Sequence, residues 1–372
     1  MKDIKEFNLD ELKGFFLSIG EQKYRAKEVF HAIYKERKKD FESISTLPKA
    51  LRSNLTRNFY IYSFNKISEI SSEDETKKYL FKLKDGLLIE TVLIKQINKF
   101  GKETNTLCVS TQVGCVLGCK FCATGHMGLI RNLQASEIIE QFLTISNEKK
   151  INNIVVMGMG EPLLNYNNVK KAINIISDKQ GIGFGKRRIT ISTSGIIEKI
   201  YTLTEEMKTV NLAVSLHSAV QSKRNKIMPG LLNETVKKLL ESLQYYTQKT
   251  GNTVTIEYLL IKNFNDSLID AEKLFQFVKQ IRFVKVNLMN FNKVPFANFE
   301  PSEKSLEFEK YLLNKKIRTT LRKSRGFEIS AACGQLATKF KAWSATFFKT
   351  KIFMTWQNLK KYIIIIVAIF IL

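Results

Sequence analysis

The stretch CVSTQVGCVLGCKFC, from Cys108 to Cys122, contains four of the five cysteines of the chain. Within it, Cys115, Cys119 and Cys122 have the spacing C-x3-C-x2-C, in a loop with flanking glycines. Three thiolates this close together can converge on one metal ion or one cluster. The spacing therefore predicts a metal centre, and the next question is which metal it holds.

Two kinds of metal centre fit the three cysteines. A structural zinc ion takes four protein ligands, and His126 is a candidate for the fourth, although no second Cys/His pair follows. A 4Fe–4S cluster usually takes four cysteines. With only three, one iron is left open and can bind a substrate or cofactor. The cysteines alone leave both possibilities open.

Polar residues follow several of the predicted strands. They stand in the segments GMGEP, STSG, SLHS and NFN, at residues 158–162, 192–195, 215–218 and 290–292. In a parallel barrel such positions share the C-terminal face, where active sites are built. Ordinary turn chemistry accounts for the glycines and serines. It accounts less well for Glu161, His217 and Asn292, which favour a site.

Apolar strands alternate with helices from Cys108 onward. The six predicted strands are LCVSTQ, NNIVVMGM, RRITISTS, NLAVSLHS, TVTIEYLLI and VKVNLMNF, and helical patterns separate them. This alternation predicts parallel strands covered by helices, hence an α/β fold. Six units fall short of the eight of a complete barrel. A partial (β/α)6 barrel and an open doubly wound sheet both fit.

The part of the chain before Cys108 has a different pattern. Residues 1 to about 80 show apolar residues at helical spacing, and KKYLFKLKDGLLIETVLIK then predicts a β-hairpin around Lys84-Asp85-Gly86. We expect four regions, which are a helical accessory domain at 1–80, a hairpin extension at 81–107, a core barrel at 108–340 and a basic, then apolar, tail at 341–372. The accessory domain is basic, and it is a candidate for contacting RNA or equally a solvated cap.

The charge balance suggests a polyanionic partner. The chain has 59 Lys and Arg against 35 Asp and Glu, a net charge of +24, and nucleic acid is the commonest such partner. Only 12 of the 59 are Arg, so a Lys-rich bias from an A/T-rich genome is the alternative explanation of the charge.

The charged opening MKDIKEFNLDELKGF and the odd number of cysteines, four of them clustered, predict a cytoplasmic, reduced protein. The apolar run Tyr362–Leu372 is too short to span a bilayer as a helix.

Five motifs in order carry a resemblance to a known family. They are LCVSTQVGCVLGCKFCATG, MGMGEPLLN, RRITISTSG, AVSLHS and AACGQLA. The cysteine motif resembles that of the radical S-adenosylmethionine superfamily, and the set resembles the bacterial ribosomal RNA adenine-C2 methyltransferases, which also modify transfer RNA. The resemblance covers about residues 1–340. It implies a partial (β/α)6 barrel of that superfamily, with a small N-terminal helical domain. It also implies one 4Fe–4S cluster on Cys115, Cys119 and Cys122, with S-adenosylmethionine on its open iron as the source of a 5′-deoxyadenosyl radical.

The same resemblance implies roles for the remaining residues. Cys333 would take a methyl group from one cofactor molecule, and a second molecule would start the radical addition to adenine C2. Glu90 would take the C2 proton, and Cys108 would form the disulfide with Cys333 that releases the RNA. The implied cofactor contacts are Gly160, Glu161, Ser192, Ser215, Leu216, His217 and Asn292. Without the resemblance, a lone cysteine such as Cys333 is more often a buried small apolar residue.

The implied partners are 23S ribosomal RNA, transfer RNA and a flavodoxin-type electron donor, and we expect a monomer with no stable membrane partner.

Two basic groups are candidates for holding phosphates, or else form solvated faces. They are Lys186-Arg187-Arg188 and the group of Arg322, Lys323 and Arg325. Two alternatives remain open, a sibling enzyme that methylates adenine C8 and a non-catalytic, metal-stabilised RNA-binding protein.

Overall fold

The computed structural model describes residues 1–97 and 101–337, so the predicted tail at 341–372 lies outside the described residues. The helices are α1 Leu9–Ser18, α2 Lys23–Tyr34, α3 Lys49–Asn58, α4 Ala123–His126, α5 Ala135–Ser146, α6 Tyr166–Ser177, α7 Ile197–Glu206, α8 Gln221–Ile227, α9 Val236–Thr250, α10 Leu268–Val278 and α11 Ser305–Asn314. None of these helices is long and apolar enough to cross a membrane, within the part of the chain that is described.

The strands form one large sheet and two small ones. They are β1 Lys2–Asp3, β2 Phe59–Tyr60, β3 Asn65–Ser71, β4 Lys77–Lys82, β5 Leu88–Ile97, β6 Glu103–Cys108, β7 Gln112–Gly114, β8 Leu129–Asn132, β9 Asn153–Val156, β10 Ile189–Thr193, β11 Asn211–Ser215, β12 Val254–Leu260, β13 Val284–Asn290 and β14 Thr319–Arg322. The large sheet has the order β14-β13-β12-β11-β10-β9-β6-β5-β4-β3.

The parallel part of this sheet winds in one direction. Strands β6 and β9 to β14 pair in parallel and follow chain order without a reversal. A doubly wound sheet requires the strand order to reverse at a switch point. The order therefore excludes that alternative and confirms the partial barrel. The seventh parallel strand, β14, was not predicted, because its sequence TTLR has only one strongly apolar residue.

The first barrel strand ends earlier than predicted. β6 stops at Cys108 instead of continuing to Gln112. The chain then leaves the large sheet, and β7 pairs with β8 in an antiparallel ribbon. A Cβ on Gly114, whose φ is +79°, would lie 1.7 Å from the Gly128 carbonyl oxygen. The ribbon can therefore close only with glycine there, and it encloses the cysteine loop between its two strands.

The N-terminal region is helical over a shorter range than expected. Helices α1 to α3 confirm the helical spacing predicted for this region, but the expectation of helix up to residue 80 is wrong for 65–71, which form β3. β3 is mostly polar and exposed and is held by antiparallel pairing with β4, where Tyr79 and Phe81 are buried. This strand therefore forms because its backbone pairs with β4, and not because of an apolar pattern in its sequence. The hairpin around residues 84–86 is confirmed by β4 and β5.

A buried ion pair joins the N-terminal region to the barrel. The Lys5 side chain is 1% exposed, and its Nζ donates a 2.6 Å hydrogen bond to the Glu140 carboxylate on α5. A buried ammonium group is stable only when it is paired. The start of the chain is therefore anchored against the helix that follows the cysteine loop.

Candidate active site

The three clustered cysteines line one small cavity of about 110 Å³. The Cys115 N–H donates to the Gly128 carbonyl at 2.9 Å, and the Cys122 N–H donates to the Cys119 carbonyl at 3.0 Å. Burial raises the pKa of all three thiols, that of Cys115 to about 12. Three buried thiols become thiolates together only when a cation offsets their charge. Their chemistry therefore fits a metal centre.

His126 is not part of this cavity wall. Its ring packs against Phe296, with the two ring centroids 3.9 Å apart. Across residues 1–97 and 101–337, no three His, Cys, Asp or Glu side chains are arranged to hold a single metal ion, and this includes Cys115, Cys119 and Cys122, so their arrangement does not fit one bare ion. The zinc alternative with His126 as fourth ligand is therefore not supported by the position of this ring.

Glu161 connects two strand ends beside the cysteines. Its carboxylate accepts hydrogen bonds from Thr193 Oγ1 at 2.7 Å, from the Ser194 N–H at 2.7 Å and from the Leu163 N–H at 3.0 Å. The side chain lines the small cavity and is 2% exposed, and this burial raises its pKa. Three donors hold the carboxylate in one orientation, as a buried charge requires. Thr193, which supplies one of them, was not predicted as a site residue.

The glycines of MGMGEP allow the backbone to pass close to the first strand end. A Cβ on Gly158 would lie 2.6 Å from Ser110 Oγ, and one on Gly160 would lie 2.5 Å from Gln112 Cβ. Gly160 also has a φ of +100°, in the region that favours glycine. The Gln112 side chain then accepts the Glu161 N–H at 2.8 Å. The close approach positions Glu161, and no side chain larger than hydrogen fits at either glycine.

His217 lies in the same cavity wall as a neutral ring. Its Nδ1 accepts a hydrogen bond from the Leu259 N–H at 3.0 Å, so the proton of the neutral ring is on Nε2. Burial, assisted by the positive charge of Arg224, lowers the pKa of His217 to about 3. The ring also makes an edge contact with Phe121. His217 therefore provides an N–H donor in the cavity wall, and its ring stays neutral near pH 7.

Of the other predicted cofactor contacts, Ser192 and Ser215 lie at this cavity, and Leu216 is not among its wall residues. Ser192 and Ser215 both line the small cavity. Leu216 is fully buried in the core, its N–H donates to the Glu257 carbonyl, and its carbonyl accepts from Arg224. Its backbone groups are thus already paired within the protein.

Arg224 is an organising residue that the sequence did not reveal. Its guanidinium is 1% exposed and donates to the carbonyls of Ser194, Ser215 and Leu216. Burial lowers its pKa to about 10, so it stays charged at neutral pH. One side chain thereby connects the ends of β10 and β11. The segment QSKRNKI around it resembles any exposed basic helix, so the pattern carried no signal.

A second and larger cavity, of about 680 Å³, adjoins the first. Its wall includes the thiols of Cys108, Cys122 and Cys333. All five cysteines are free. Because Cys122 and Gly334 line both cavities, the cysteine loop and the Cys333 segment form the boundary between them. The structure thus brings together two cysteines that are 225 residues apart in sequence.

The Cys333 segment is attached to the cysteine loop and to a strand end. Gly334 accepts the Ala123 N–H at 2.6 Å, and Leu336 accepts the Thr124 hydroxyl at 2.5 Å. Asn292 donates from Nδ2 to the Cys333 carbonyl at 3.1 Å. Asn292 therefore lines the large cavity beside the Cys333 segment.

The two remaining thiols are close enough to influence each other. Burial raises the pKa of Cys108 to about 12, and the charge of Cys333 contributes to this rise. Burial also raises the pKa of Cys333 to about 11, although its side chain is exposed to the cavity. The raised pKa and the exposure are compatible, because Cys333 lines a cavity that is surrounded by protein. Both thiols are protonated at neutral pH.

Glu90 lies next to the Cys333 segment but does not line either cavity. Its carboxylate accepts the Ala337 N–H at 2.9 Å and pairs with Lys78 Nζ at 3.0 Å. It is on the same face of β5 as Val92 and Ile94, which do line the large cavity. Burial raises its pKa, against the opposite effect of Lys78. The Glu90 carboxylate is thereby attached to the segment that carries Cys333.

The two predicted basic groups meet at the large cavity. Its basic wall residues are Arg187, Arg188, Lys285, Arg322, Lys323 and Arg325. Among the described wall residues, Glu257 is the one carboxylate. Lys186 donates instead to Asn174 Oδ1 at 2.8 Å. The cavity that contains Cys333 therefore has a strongly positive wall.

Comparisons with known proteins agree with this fold and site. Residues 109–276 match the Radical SAM superfamily, and residues 2–61 match the ribosomal RNA large subunit methyltransferase N-terminal domain. The crystal structure of a radical SAM methyltransferase from Sphaerobacter thermophilus superposes with a TM-score of 0.84 at 38% sequence identity, covering 90% of this chain and 99% of that one. The fold and the site therefore define a radical S-adenosylmethionine methyltransferase.

Curated relatives narrow the class to one family. The chain is 46% identical over 343 residues to the probable dual-specificity RNA methyltransferase RlmN of Dictyoglomus thermophilum, covering 90% of this chain and 97% of the relative. It is 43% identical over 347 residues to that of Aquifex aeolicus, covering 91% and 98%. The dual-specificity RNA methyltransferase RlmN of Geotalea uraniireducens is 40% identical over 336 residues, covering 90% and 96%. The chain belongs to the RlmN family of RNA methyltransferases.

Proposed function

We propose that this RNA methyltransferase transfers a methyl group to C2 of an adenosine in 23S ribosomal RNA and in transfer RNA, with Cys333 as the methyl carrier. The observation that carries the proposal is that Cys333 and Cys108 share one cavity whose wall also includes a cysteine of the metal-binding loop. A single thiol would suffice for binding a metal or packing in a core. Two free thiols facing the same substrate-sized space fit a carrier and a resolving residue.

The family implies a 4Fe–4S cluster and S-adenosylmethionine, and the small cavity offers suitable residues for both. Cys115, Cys119 and Cys122 would hold the cluster, and the cofactor would contact the cavity residues Gly160, Glu161, Ser192, Ser215 and His217. When bound, the two groups supply the methyl group and the one-electron chemistry. The Nε2–H of His217 serves as a hydrogen-bond donor, and the buried carboxylate of Glu161 is an acceptor.

Cys333 carries the methyl carbon between cofactor and base. Loss of one hydrogen atom from the S-methyl group of Cys333 precedes its bond to adenine C2, and loss of one electron follows it, both through the one-electron chemistry that the bound groups would supply. In the resulting covalent adduct, the Cys333 sulfur is bonded through this carbon to C2, and Glu90 accepts the C2 proton. The Cys108 thiolate then attacks the Cys333 sulfur, so that a disulfide forms while the sulfur–carbon bond breaks. The released carbon keeps the electron pair of that bond and takes up a proton, which leaves a methyl group on C2.

The positive wall of the large cavity supports RNA as the substrate. Arg187, Arg188, Arg322, Lys323 and Arg325 are suited to phosphate groups, which position an RNA without reading its sequence. Because the thiols lie inside this cavity, the target adenosine must be unstacked or already in a loop. We further propose that the protein acts as a cytoplasmic monomer and receives electrons from a flavodoxin-type donor.

Replacing Cys333 tests the carrier role. We expect Cys333→Ala, reconstituted anaerobically with iron and sulfide, to keep wild-type iron content and to lose methylation of RNA. Nucleoside mass spectrometry measures the methylated adenosine, and elemental analysis of the same sample measures iron. Retained turnover in Cys333→Ala would remove Cys333 from the reaction.

A further inference from the structure

Glu257 has no role in the chemistry described above, yet it lies in the wall of the large cavity. It stands on β12, its side chain is 4% exposed, and its Oε2 has no hydrogen-bond partner among the described residues. A buried carboxylate oxygen without a donor is costly, and native proteins rarely keep one without a reason. The oxygen therefore indicates a donor that arrives with a bound molecule.

The neighbours of Glu257 fix its orientation without using this oxygen. Asn287 Nδ2 donates to Oε1 at 3.0 Å, so the oxygen left without a hydrogen bond is Oε2. The Arg322 guanidinium is 3.9 Å from Oε2, which is an ion-pair distance but too long for a hydrogen bond. Lys285, on the neighbouring strand, also lines the cavity. The carboxylate is thus held among cations at the wall of the large cavity, with one acceptor atom left unpaired.

The chemistry of Glu257 Oε2 limits which chemical groups of a ligand can bind there. A carboxylate repels phosphate and accepts only from an N–H or O–H group. Glu257 lines the large cavity with Cys333 and not the small cavity proposed for the cofactor. Among the base atoms of adenosine, the N6 amino group is the N–H donor. C2 and N6 are on the same edge of the ring, so a base with C2 toward Cys333 also directs N6 into this cavity.

We propose that Glu257 accepts a hydrogen bond from the N6 amino group of the target base and thereby selects adenine. Asn287 is a positioning residue that holds the carboxylate in place. The inference rests on the proposed methylation of adenine, and it adds the residue that distinguishes this base from a purine with an oxygen or a hydrogen at position 6.

The wild-type enzyme provides the first test. Three RNAs that differ only at the target position carry adenosine, inosine or purine riboside, all of which have a hydrogen at C2. Loss of a hydrogen bond to a charged group predicts that the methylation rate falls about tenfold or more for purine riboside, and further for inosine. Equal rates for adenosine and purine riboside would overturn the proposal, and this result needs no variant to fold.

The variant Glu257→Gln makes the test specific. Asn287 donates to the position of Oε1, so the Gln carbonyl takes that place and its NH₂ group replaces Oε2. A donor now faces the base, which disfavours the adenine amino group and favours the O6 acceptor of inosine. We expect the ratio of adenosine to inosine methylation to fall at least tenfold. Glu206→Gln, the same substitution at an exposed carboxylate of α7 that lines neither cavity, is the control and should leave this ratio unchanged.

The outcomes separate this inference from the proposed function. If the wild type makes no methylated adenosine, the proposed function fails. If it does, and Glu257→Gln keeps the wild-type ratio, only the role of Glu257 fails. If Glu257→Gln raises the KM for S-adenosylmethionine and leaves the adenosine-to-inosine ratio unchanged, the carboxylate contacts the cofactor and not the base. This result would likewise overturn the proposal. If Glu257→Gln is inactive on both RNAs, the wild-type comparison with purine riboside decides.

Discussion

The side-chain amide of Asn292 donates a hydrogen bond to the main-chain carbonyl of Cys333 at 3.1 Å. Asn292 follows the end of β13, whereas Cys333 lies in a loop 41 residues later. A second contact, from Gln335 Nε2 to the Lys293 carbonyl at 3.2 Å, strengthens the attachment. The proposed methyl carrier is therefore fixed to the rim of the barrel through two adjacent residues.

Removal of the Asn292 amide should loosen the Cys333 loop. A hydrogen bond of this kind contributes about 1 kcal/mol, so we expect Asn292→Ala to lower the rate of RNA methylation roughly fivefold to tenfold. Iron content should stay at the wild-type level, because Asn292 is not at the small cavity. Lys293→Ala changes an exposed neighbour whose side chain pairs with Glu300, and this control should retain the wild-type rate. Loss of iron in Asn292→Ala would contradict the assigned contact.

Gly160 allows only hydrogen beside Gln112, so Gly160→Ala should disturb the end of β9. The added Cβ would meet Gln112 Cβ at 2.5 Å, at a φ of +100°. Backbone strain of this kind costs about 1–3 kcal/mol, and we expect roughly 10–100-fold weaker binding of S-adenosylmethionine to the reconstituted protein. Equilibrium dialysis measures this affinity.

The matched control for Gly160→Ala is Gly14→Ala. Gly14 is in the middle of α1, and no atom lies within 4 Å of the added Cβ. Alanine should stabilise the folded protein there by about 0.5–1 kcal/mol without affecting cofactor affinity. Equal cofactor affinity in the two variants would argue against the role of the glycine at this strand end.

Product release should depend on pH through Cys108. Burial raises its pKa to about 12, and attack on the Cys333 sulfur needs the thiolate. Below the pKa the thiolate fraction rises about tenfold for each pH unit. The covalent enzyme–RNA adduct should therefore resolve faster as the pH rises from 7 to 9. Denaturing gels of quenched single-turnover reactions measure the adduct, and Cys108→Ala should accumulate it at every pH. A rate that is flat over this range would contradict the assignment.

The backbone at His217 predicts which substitutions the fold tolerates. His217 has a φ of +54°, a left-handed conformation that asparagine adopts more readily than alanine. The Leu259 N–H also needs the acceptor that Nδ1 provides. We expect His217→Ala to have a lower free energy of unfolding than His217→Asn, by about 1–2 kcal/mol. Chemical denaturation measures the difference, and equal stabilities would show that neither feature matters.

The sequence predicted the barrel because its strands and helices each have a clear period. All six predicted barrel strands are present, but three of them end earlier than expected, at Cys108, Val156 and Ser215. β3 and β14 were missed for a common physical reason. Both are short or polar strands that form by pairing with a neighbour already in the sheet.

The site was predictable only where residue type itself signals chemistry. Cysteines and polar strand ends are unusual enough to notice, and the small cavity brings most of them together. Arg224 and Glu257 are unremarkable charges in the sequence, and their importance comes from burial. The hydrogen bond from the Asn292 amide to Cys333 joins residues far apart in sequence and had no signal there. Such contacts depend on side-chain directions that spacing does not specify.

The most direct test of the account is the identity of the methylated nucleoside. The protein is reconstituted anaerobically with iron and sulfide, then given reductant, S-adenosylmethionine and unmethylated ribosomal RNA, and the digested RNA is compared with 2-methyladenosine and 8-methyladenosine standards by mass spectrometry. The account predicts 2-methyladenosine in the wild-type reaction and none with Cys333→Ala. A product of 8-methyladenosine, or no methylated adenosine from protein that contains its cluster, would contradict it.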